Sequence, residues 1–306
     1  MRFVLPIFIP PGGLYAHNQP AKILLNYLLD DIMITAKDLT FSYDYSNSRR
    51  SLDNASIKVR KGELVAVLGH NGCGKSTLIK HFNALLEVQK GELTVAGLDA
   101  KDEANTVKLR RTVGMVFQNP DTQFVSSIVE EDVAFGLENY GVSYDEIPKR
   151  VSEALNAVGM TGYEKRSPSM LSGGQKQRVA LAGVLAVEPD ILVFDEVTSM
   201  LDPDGRRDVL SAIKCLHEEK RKTIVMITHY IDEAVFADRV YFMHNGKMLA
   251  SGTPREMLTD LELLKSTGLT PPLPVRMYYD LMEKGIVLPF CPLTNEELTE
   301  AICRLK

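Results

Sequence analysis

The chain has 306 residues, of which 45% are hydrophobic and 25% are charged, a balance typical of a globular protein with a full core. Its 35 Lys and Arg against 40 Asp and Glu give a net charge of -5, which argues against nucleic-acid binding through a global positive field. No apolar run reaches the roughly 18 residues of a transmembrane helix. The four cysteines form no C-x-x-C pair, so we expect neither a zinc site nor a disulfide framework. This cysteine usage fits a reducing cytosol best.

Residues 1–32 differ from the rest of the chain. An apolar run at residues 3–9 is broken by Pro6 and followed by the breakers Pro10 to Gly13. A secretory signal peptide is one interpretation, because Arg2 precedes this run. We favour another, in which residues 1–32 are an N-terminal extension upstream of a true start at Met33, since regular alternation begins immediately after it.

Short β-type runs recur along the next two hundred residues. They lie at residues 34–43, 56–59, 63–68, 92–96, 112–117, 191–194 and 223–227. The run at 63–68 is almost continuously apolar, as expected of a strand buried on both faces. Helical patterns alternate with these runs, so the sequence predicts an α/β fold with a largely parallel sheet and helices on both faces.

The strand signal is absent between about residues 120 and 185, where residues 148–158 and 175–186 have helical patterns. We therefore predict an inserted helical subdomain within one large domain of residues 33–264. The breakers at residues 268–274 introduce a tail, residues 265–306, with two short helices. A capping box from Thr294 to Glu297 begins the second.

A glycine-rich loop follows the buried run at 63–68 and precedes a helical pattern. Its sequence GHNGCGKST fits the phosphate-loop pattern G-x-x-x-x-G-K-[ST] in the strand-to-helix context that supports it. Backbone N–H groups would close on phosphates, Lys75 would reach the β- and γ-oxygens, and Ser76 would bind Mg²⁺. The loop residues are Gly69, His70, Asn71, Gly72, Cys73, Gly74, Lys75, Ser76 and Thr77.

Two adjacent carboxylates, Asp195 and Glu196, end the apolar run at 191–194. Carboxyl ends of parallel strands meet at the ligand-binding edge of a sheet. Asp195 is therefore expected to bind Mg²⁺ and Glu196 to polarise the attacking water. The alternative is that both are ordinary solvated charges.

A second glycine-rich helix start is LSGGQ at residues 171–175, which predicts a second anion site. This pentapeptide resembles the signature of ABC-type ATPases. The resemblance implies a P-loop ABC fold, with a mostly parallel sheet, an antiparallel β subdomain and an inserted helical subdomain. It also implies a head-to-tail dimer in which Ser172, Gly173, Gly174 and Gln175 close over the partner's ATP.

Four further residues match the family one at a time. Tyr43 resembles the aromatic that stacks on adenine, although a core or edge tyrosine is the alternative. Gln118 resembles the glutamine that contacts Mg²⁺ and the lytic water. His229 resembles the histidine at the γ-phosphate, and Asp202 resembles the acid of the loop that crosses the dimer interface.

The segments at 117–125 and 129–138 resemble the ATPases of energy-coupling factor importers of vitamins or metal ions. Residues 198–203 are similar to the first of the two paralogous ATPases, and 267–269 and 284–286 resemble a C-terminal dimerisation region. The resemblance implies a second ATPase, a transmembrane coupling protein, small substrate-capture membrane proteins, no nucleic acid, and a peripheral position on the cytoplasmic face of the cell membrane.

Three alternatives stay open at this point: the ATPase of a dedicated cobalt or nickel importer, a soluble ABC protein of DNA repair or translation, and a catalytically silent nucleotide-binding scaffold. Cys73 is a departure from the family, which more often has serine there. Beside Lys75 and a helix start, the Cys73 thiol is expected either to have a lowered pKa and react with alkylators or to be inert and shielded by bound nucleotide.

Overall fold

The computed structural model describes residues 31–44 and 50–305. Residues 1–30, which make up nearly all of the predicted extension, lie outside the described residues, so a start at Met33 stays a prediction. Within the part that is described, no helix combines the length and apolar character needed to cross a bilayer.

The described residues form ten strands and ten α-helices. The strands are β1 Ile32–Phe41, β2 Leu52–Arg60, β3 Leu64–Leu68, β4 Lys90–Val95, β5 Leu98–Asp99, β6 Val113–Val116, β7 Ile191–Asp195, β8 Thr223–Thr228, β9 Arg239–His244 and β10 Lys247–Gly252. The helices are α1 Lys75–Phe82, α2 Thr106–Thr112, α3 Val129–Asn139, α4 Ile147–Ala157, α5 Gly173–Ala186, α6 Pro203–Glu218, α7 Pro254–Leu258, α8 Leu261–Ser266, α9 Leu273–Glu283 and α10 Asn295–Cys303. Short 3₁₀ segments include Ile231–Phe236.

These strands form two sheets. The first has the order β10-β9-β3-β8-β7-β6, in which every neighbouring pair is parallel except β10 with β9. The second, of order β2-β1-β4-β5, is antiparallel throughout. The predicted α/β core with a mostly parallel sheet and an antiparallel β subdomain is confirmed.

Alternation along the buried strands divides the core into two layers, because successive side chains of a strand point to opposite faces. Leu64, Ala66 and Leu68 of β3 pack in one cluster with residues of α3 to α6. Val65 and Val67 pack in the other cluster, with the antiparallel sheet and α1. Burial on both faces explains the nearly continuous apolar sequence of β3.

Between β6 and β7 the described chain contains α3, α4 and α5 and no strand. In the tail, α9 and α10 pack around a small apolar cluster that includes Leu288 and Leu298. Thr294 caps α10 by accepting from the Glu297 N–H at 3.2 Å. The other half of the predicted capping box is wrong, because the Glu297 carboxylate accepts from the Leu293 N–H at 2.7 Å.

The parallel sheet sets the position of the candidate site. Strands β3, β6, β7 and β8 run in the same direction, so their carboxyl ends lie at one edge. The glycine-rich loop, Gln118, Glu196 and His229 follow these four ends. Residues far apart in the chain are thereby brought to one edge, where open α/β sheets bind ligands.

Candidate functional site

The glycine-rich loop joins β3 to α1 and surrounds the Lys75 side chain. Lys75 is buried, and its Nζ donates to the carbonyl oxygens of Gly69 at 2.8 Å and His70 at 3.1 Å. Gly74 precedes α1 with φ +111°, and a Cβ there would lie 2.3 Å from the Ser51 carbonyl oxygen. Only glycine fits this close approach. The unpaired N–H groups at the start of α1 and the ammonium of Lys75 make the loop suitable for phosphate.

Asp195 and Ser76 meet beside the loop. The Ser76 hydroxyl donates to Asp195 Oδ1 at 2.8 Å, joining the end of β7 to the first turn of α1. Burial raises the pKa of the Asp195 carboxyl, and the hydrogen bond from Ser76 opposes that rise. One hydroxyl oxygen and one carboxylate in contact are hard donors, so this pair fits Mg²⁺.

Glu196 occupies the centre of the site. Its φ of +50° is unusual for a residue other than glycine, and its N–H donates to the Ile227 carbonyl at 3.0 Å. Oε1 lies 3.5 Å from Lys75 Nζ, and Oε2 lies 3.6 Å from His229 Nδ1. The carboxylate therefore lies between a cation of the phosphate loop and the imidazole that follows β8.

Gln118 is connected to the backbone of Glu196 through Ser199. Gln118 Nε2 donates to Ser199 Oγ at 3.0 Å, and Ser199 Oγ donates to the Glu196 carbonyl at 2.8 Å. The chain of bonds joins the end of β6 to the residue after β7. Contact of Gln118 with Mg²⁺ stays a prediction.

Tyr43 lies at the mouth of the phosphate loop, just beyond β1. Its hydroxyl is 3.3 Å from Thr77 Oγ1, its ring meets Phe41 edge-on at 4.9 Å, and 59% of it is exposed. The predicted strand at 34–43 ends at Phe41, because the Gln89 amide, instead of a neighbouring strand, binds the Ser42 backbone. Gln89 Oε1 accepts from the Ser42 N–H at 3.0 Å and Nε2 donates to its carbonyl at 2.9 Å. This pairing fixes the residue before Tyr43.

Seven of the predicted site residues line a cavity of about 250 Å³. Its lining is Tyr43, Ser51, Gly72, Gly74, Lys75, Ser76, Thr77 and Glu196. An exposed aromatic at one end and a cation at the other suit a nucleotide, with the base near Tyr43 and the phosphates near Lys75.

The signature residues lie elsewhere, at the start of α5. Ser172 accepts from the Gln175 N–H at 3.3 Å, and the Gln175 side chain accepts from the Ser172 N–H at 3.0 Å, which forms a capping box. Ser172 and Gly173 are exposed, and neither lines the cavity of the phosphate loop. The segment therefore presents a helix start to the outside of the protein.

Asp202 lies next to this segment. It caps α6 by accepting from the Gly205 N–H at 3.2 Å, and it is exposed. A Cβ on Gly174 would lie 2.7 Å from the Gly205 Cα, so the starts of α5 and α6 touch through two glycines. The structure thus brings Asp202 together with the signature and not with the cavity around Lys75.

The expectation of a lowered pKa at Cys73 is wrong. Cys73 is 1% exposed and packs in the core layer between the sheets and α1. Burial raises the pKa of this thiol, and the charge of Lys75 only partly opposes that rise. The alternative of an inert thiol is the one that the structure supports.

The neighbouring His70 binds the Asn71 carbonyl through Nδ1 at 2.8 Å.

Several residues of the site carry no signal in the sequence. Ser51 follows the segment 45–49, which is outside the described residues, and contributes to the cavity only because Gly74 packs against it. Ser199 and Glu233 bind residues that are distant in the chain, Gln118 and Thr198 respectively. Isolated serines and acids are usually exposed residues, so nothing in their local pattern distinguishes them.

Comparison with known proteins gives a consistent result. A protein-family model described as ABC transporter matches residues 52–199. An energy-coupling factor transporter ATP-binding protein EcfA1 of Clostridium novyi is 48% identical over 280 residues, which cover 91% of this chain and 100% of that protein. The same protein of Enterococcus faecalis is 47% identical, over 88% of this chain and 96% of its own length.

A solved structure agrees with these sequences. CbiO1 of Clostridium perfringens, described as part of the ABC transporter complex cbiONQ, superposes with a TM-score of 0.71 at 35% identity. The superposition covers 83% of this chain and 99% of that one. At 35% sequence identity, the similarity supports a shared family as well as a shared fold.

Proposed function

We propose a function from the premise that this chain belongs to the EcfA1 group of energy-coupling factor transporter ATP-binding proteins, within the ABC transporter family. In this function the chain binds and hydrolyses ATP, and the hydrolysis powers uptake of a micronutrient by a membrane transporter. The observation that carries the proposal is the contact of Glu196 with both Lys75 and His229 at the edge of the parallel sheet.

The chemistry follows from the residues at that edge. Lys75 and the loop N–H groups neutralise and orient the phosphates, while Tyr43 stacks on the adenine. Glu196 orients a water for in-line attack on the γ-phosphorus and accepts its proton. His229 contacts the γ-phosphate, and Gln118 positions the water from the opposite side. The charge that develops in the transition state lies among preorganised donors.

Ser76 and Asp195 are proposed to hold Mg²⁺, with Gln118 as a further ligand. Their hydroxyl and carboxylate oxygens are ligands that this ion prefers. When bound, Mg²⁺ neutralises negative charge on the β- and γ-phosphate oxygens.

The signature is proposed to act on a second nucleotide. Because Ser172 and Gly173 are exposed and the segment lies apart from the chain's own phosphate loop, a partner cassette is needed to use them. We propose a head-to-tail heterodimer with a paralogous ATPase, in which Asp202 lies at the interface. Each composite site then holds one ATP between a phosphate loop and a signature.

A groove of about 600 Å³ next to Gln118 is the proposed site for the transmembrane coupling protein. Phe117, Gln123, Val125, Phe135 and Val184 line part of it. Val125 and Phe135, which are 59% and 45% exposed, give the groove an exposed apolar surface of the kind that marks an interaction site. A cytoplasmic helix of the coupling protein would fill this groove. The bonds from Gln118 through Ser199 to the Glu196 main-chain carbonyl then connect the groove to the backbone of the catalytic residue.

The tail supports a dimerisation role. Apolar side chains that are at least two-fifths exposed lie on α9 and α10, in their connection and just after α10: Leu273, Met282, Ile286, Val287, Ile302 and Leu305. We propose that residues 265–306 pack against the second ATPase. The complete assembly, with small membrane subunits that capture the substrate, places the chain peripherally on the cytoplasmic face of the cell membrane.

Purification from membranes tests this assembly. The chain is tagged at its C-terminus, membranes are solubilised gently, and the co-purifying proteins are identified by mass spectrometry. Recovery of a second ATPase, a coupling protein and one or more small membrane proteins is the expected result.

Two other outcomes would contradict the proposal. A homodimer with a dedicated metal-uptake set would favour a cobalt or nickel importer, the alternative consistent with the likeness to CbiO1 of the cbiONQ complex. Recovery of the chain alone, without any membrane protein, would refute a transport role.

A further inference from the structure

Glu233 is a buried carboxylate near the candidate site. It lies in the 3₁₀ segment Ile231–Phe236 and is 1% exposed. A buried ionised carboxylate is costly unless several donors satisfy its oxygens. Three side chains do so here, and they come from three different parts of the chain.

Two of these donors flank the residues of hydrolysis. Thr198, two residues after Glu196, donates its hydroxyl to Glu233 Oε1 at 2.7 Å. Thr228, immediately before His229, donates its hydroxyl to Oε2 at 2.5 Å. Both threonines are buried. One carboxylate thus binds the segment after β7 and the end of β8 at the same time.

Two more hydrogen bonds hold the turn of residues 228–233, called here the His229 turn, next to the Glu233 carboxylate. Thr228 Oγ1 also accepts from the Tyr230 N–H at 3.0 Å, and the Glu233 N–H donates to the Tyr230 carbonyl at 3.1 Å. His229 Nδ1 is buried without a hydrogen bond, and the nearest acid is Glu196 Oε2 at 3.6 Å. No direct hydrogen bond therefore sets the distance between His229 and Glu196, so the backbone on either side must set it.

The third donor extends the network to α6. Arg206 Nε donates to Glu233 Oε1 at 2.7 Å, and its guanidinium lies 3.8 Å from the centre of the Tyr230 ring. Arg206 is in the first turn of α6, whose capping residue is Asp202. The contacts therefore join the His229 turn to the helix that begins at the proposed dimer interface.

We propose that Glu233 is a positioning residue for ATP hydrolysis, which fixes His229 relative to Glu196 by binding Thr228 and Thr198 together. The inference rests on the proposed function of Glu196 and His229. A loss of this carboxylate loosens the hydrolytic pair without touching the phosphate loop. The rate constant of hydrolysis should then fall while ATP still binds.

Glu63 provides a matched control. It is 9% exposed, its Oε1 accepts from Arg239 Nε at 2.8 Å, and its Oε2 accepts from the Arg60 N–H at 2.7 Å. It lies at the other end of β3, away from the site. Glu63→Gln thus removes the charge of a similar buried carboxylate bound to an arginine.

The experiment uses the full-length chain in the complex with which it co-purifies. Glu233→Gln and Glu63→Gln are compared for kcat, Kd for ATP and Tm. We expect both to lower Tm, because each leaves a partly buried arginine without its anion. Glu233→Gln should lower kcat about 10-fold or more at a Kd within about 2-fold of the original, whereas Glu63→Gln should keep kcat within about 2-fold.

Thr228→Val and Thr198→Val each remove one hydroxyl without changing charge or shape much, so they cover the case in which Glu233→Gln does not fold. Each is expected to lower kcat by about 3-fold at unchanged Kd. Equal kcat for the Glu233→Gln and Glu63→Gln complexes, or original kcat in both threonine variants, would overturn the inference.

His229→Ala and Glu196→Gln in the same assay separate this inference from the proposed function. Loss of turnover in both, with full turnover in Glu233→Gln, would overturn the role of Glu233 alone. Full turnover in His229→Ala would instead refute the proposed role of His229, and with it the positioning role.

Discussion

The ammonium of Lys75 lies 3.5 Å from Glu196 Oε1, so the proposed phosphate-binding cation and the proposed base form an ion pair. Lys75 is 3% exposed and Glu196 is 14% exposed, which makes the pair stronger than one in open water. A phosphate that binds to Lys75 therefore competes with this carboxylate. The pair ties nucleotide binding to the position of the base.

Glu196→Gln should consequently separate binding from turnover. The amide cannot accept the proton of the attacking water, so we expect kcat to fall by about 10²–10⁴-fold. It also carries no charge to compete for Lys75, so Kd for ATP should be equal or lower. Single-turnover hydrolysis and equilibrium ATP binding, measured on the same complex, check both expectations.

Glu218→Gln is the control for that change, because it removes a charge from an acid that is 60% exposed on α6. It should leave kcat and Kd at their original values. Turnover of the Glu196→Gln complex at the original rate would refute the assignment of the base.

The binding of Gln89 to the Ser42 backbone predicts a selective effect on adenine. Gln89→Ala removes two hydrogen bonds to the backbone of the residue before Tyr43, so we expect the KM for ATP to rise about 3-fold, and Tyr43→Ala should raise it more. Inorganic tripolyphosphate has no base, so its binding to the phosphate loop should not change in either variant. Competition of tripolyphosphate against ATP hydrolysis measures this.

Lys90→Ala changes the exposed residue that follows Gln89, and it should not alter either affinity. Equal weakening of ATP and tripolyphosphate by Gln89→Ala would show that the loop itself is disturbed. An unchanged KM in Tyr43→Ala would instead argue against stacking on the adenine.

Two glycines of α5 predict opposite effects on stability. A Cβ on Gly174 would lie 2.7 Å from the Gly205 Cα, so Gly174→Ala should push α5 and α6 apart and cost about 1–3 kcal/mol. A Cβ on Gly183 has 3.9 Å to its nearest neighbour, at Val133. Gly183→Ala should therefore stabilise the helix by about 0.5–1 kcal/mol.

Urea unfolding of the two variants gives the free energies to compare. A Gly174→Ala protein as stable as the original would mean that the helix starts separate without cost, which contradicts the close packing between them.

The buried thiol of Cys73 predicts slow, pH-dependent alkylation. Because burial raises its pKa, the thiolate that reacts is scarce at neutral pH and becomes available only as the pH rises beyond the ordinary thiol range. We expect iodoacetamide to label the exposed Cys303 first and Cys73 last. Peptide mass spectrometry at several pH values, with a denatured sample as control, measures the order; early labelling of Cys73 at neutral pH would contradict its burial.

Local sequence predicted much of this protein. The buried strand β3, the glycine-rich loop and the start of α1 are adjacent in the chain, so their spacing alone specified a phosphate loop. The same holds for the signature at the start of α5, where Ser172 and Gln175 cap one helix over three residues. Patterns of this kind are readable because the bonds they predict close within a few residues.

Tertiary structure decided the contacts between distant residues. The pairing of Gln89 with Ser42 ends β1 before Tyr43, and the packing of Cys73 in the core reverses the expected shift of its pKa. The Glu297 carboxylate, predicted to cap α10, binds the Leu293 N–H instead. In each case the local pattern was compatible with more than one partner, and packing selected among them.

The sequence by itself determined the fold class, the glycine-rich loop and the two acids at the end of β7, since each depends on patterns that are local in the chain. Only the tertiary structure placed Glu196 between Lys75 and His229 and buried Glu233 where its carboxylate binds both Thr198, after β7, and Thr228, at the end of β8. The parallel order of β3, β7 and β8 brings those ends together, and strand order is a property of the packed sheet that no local pattern contains.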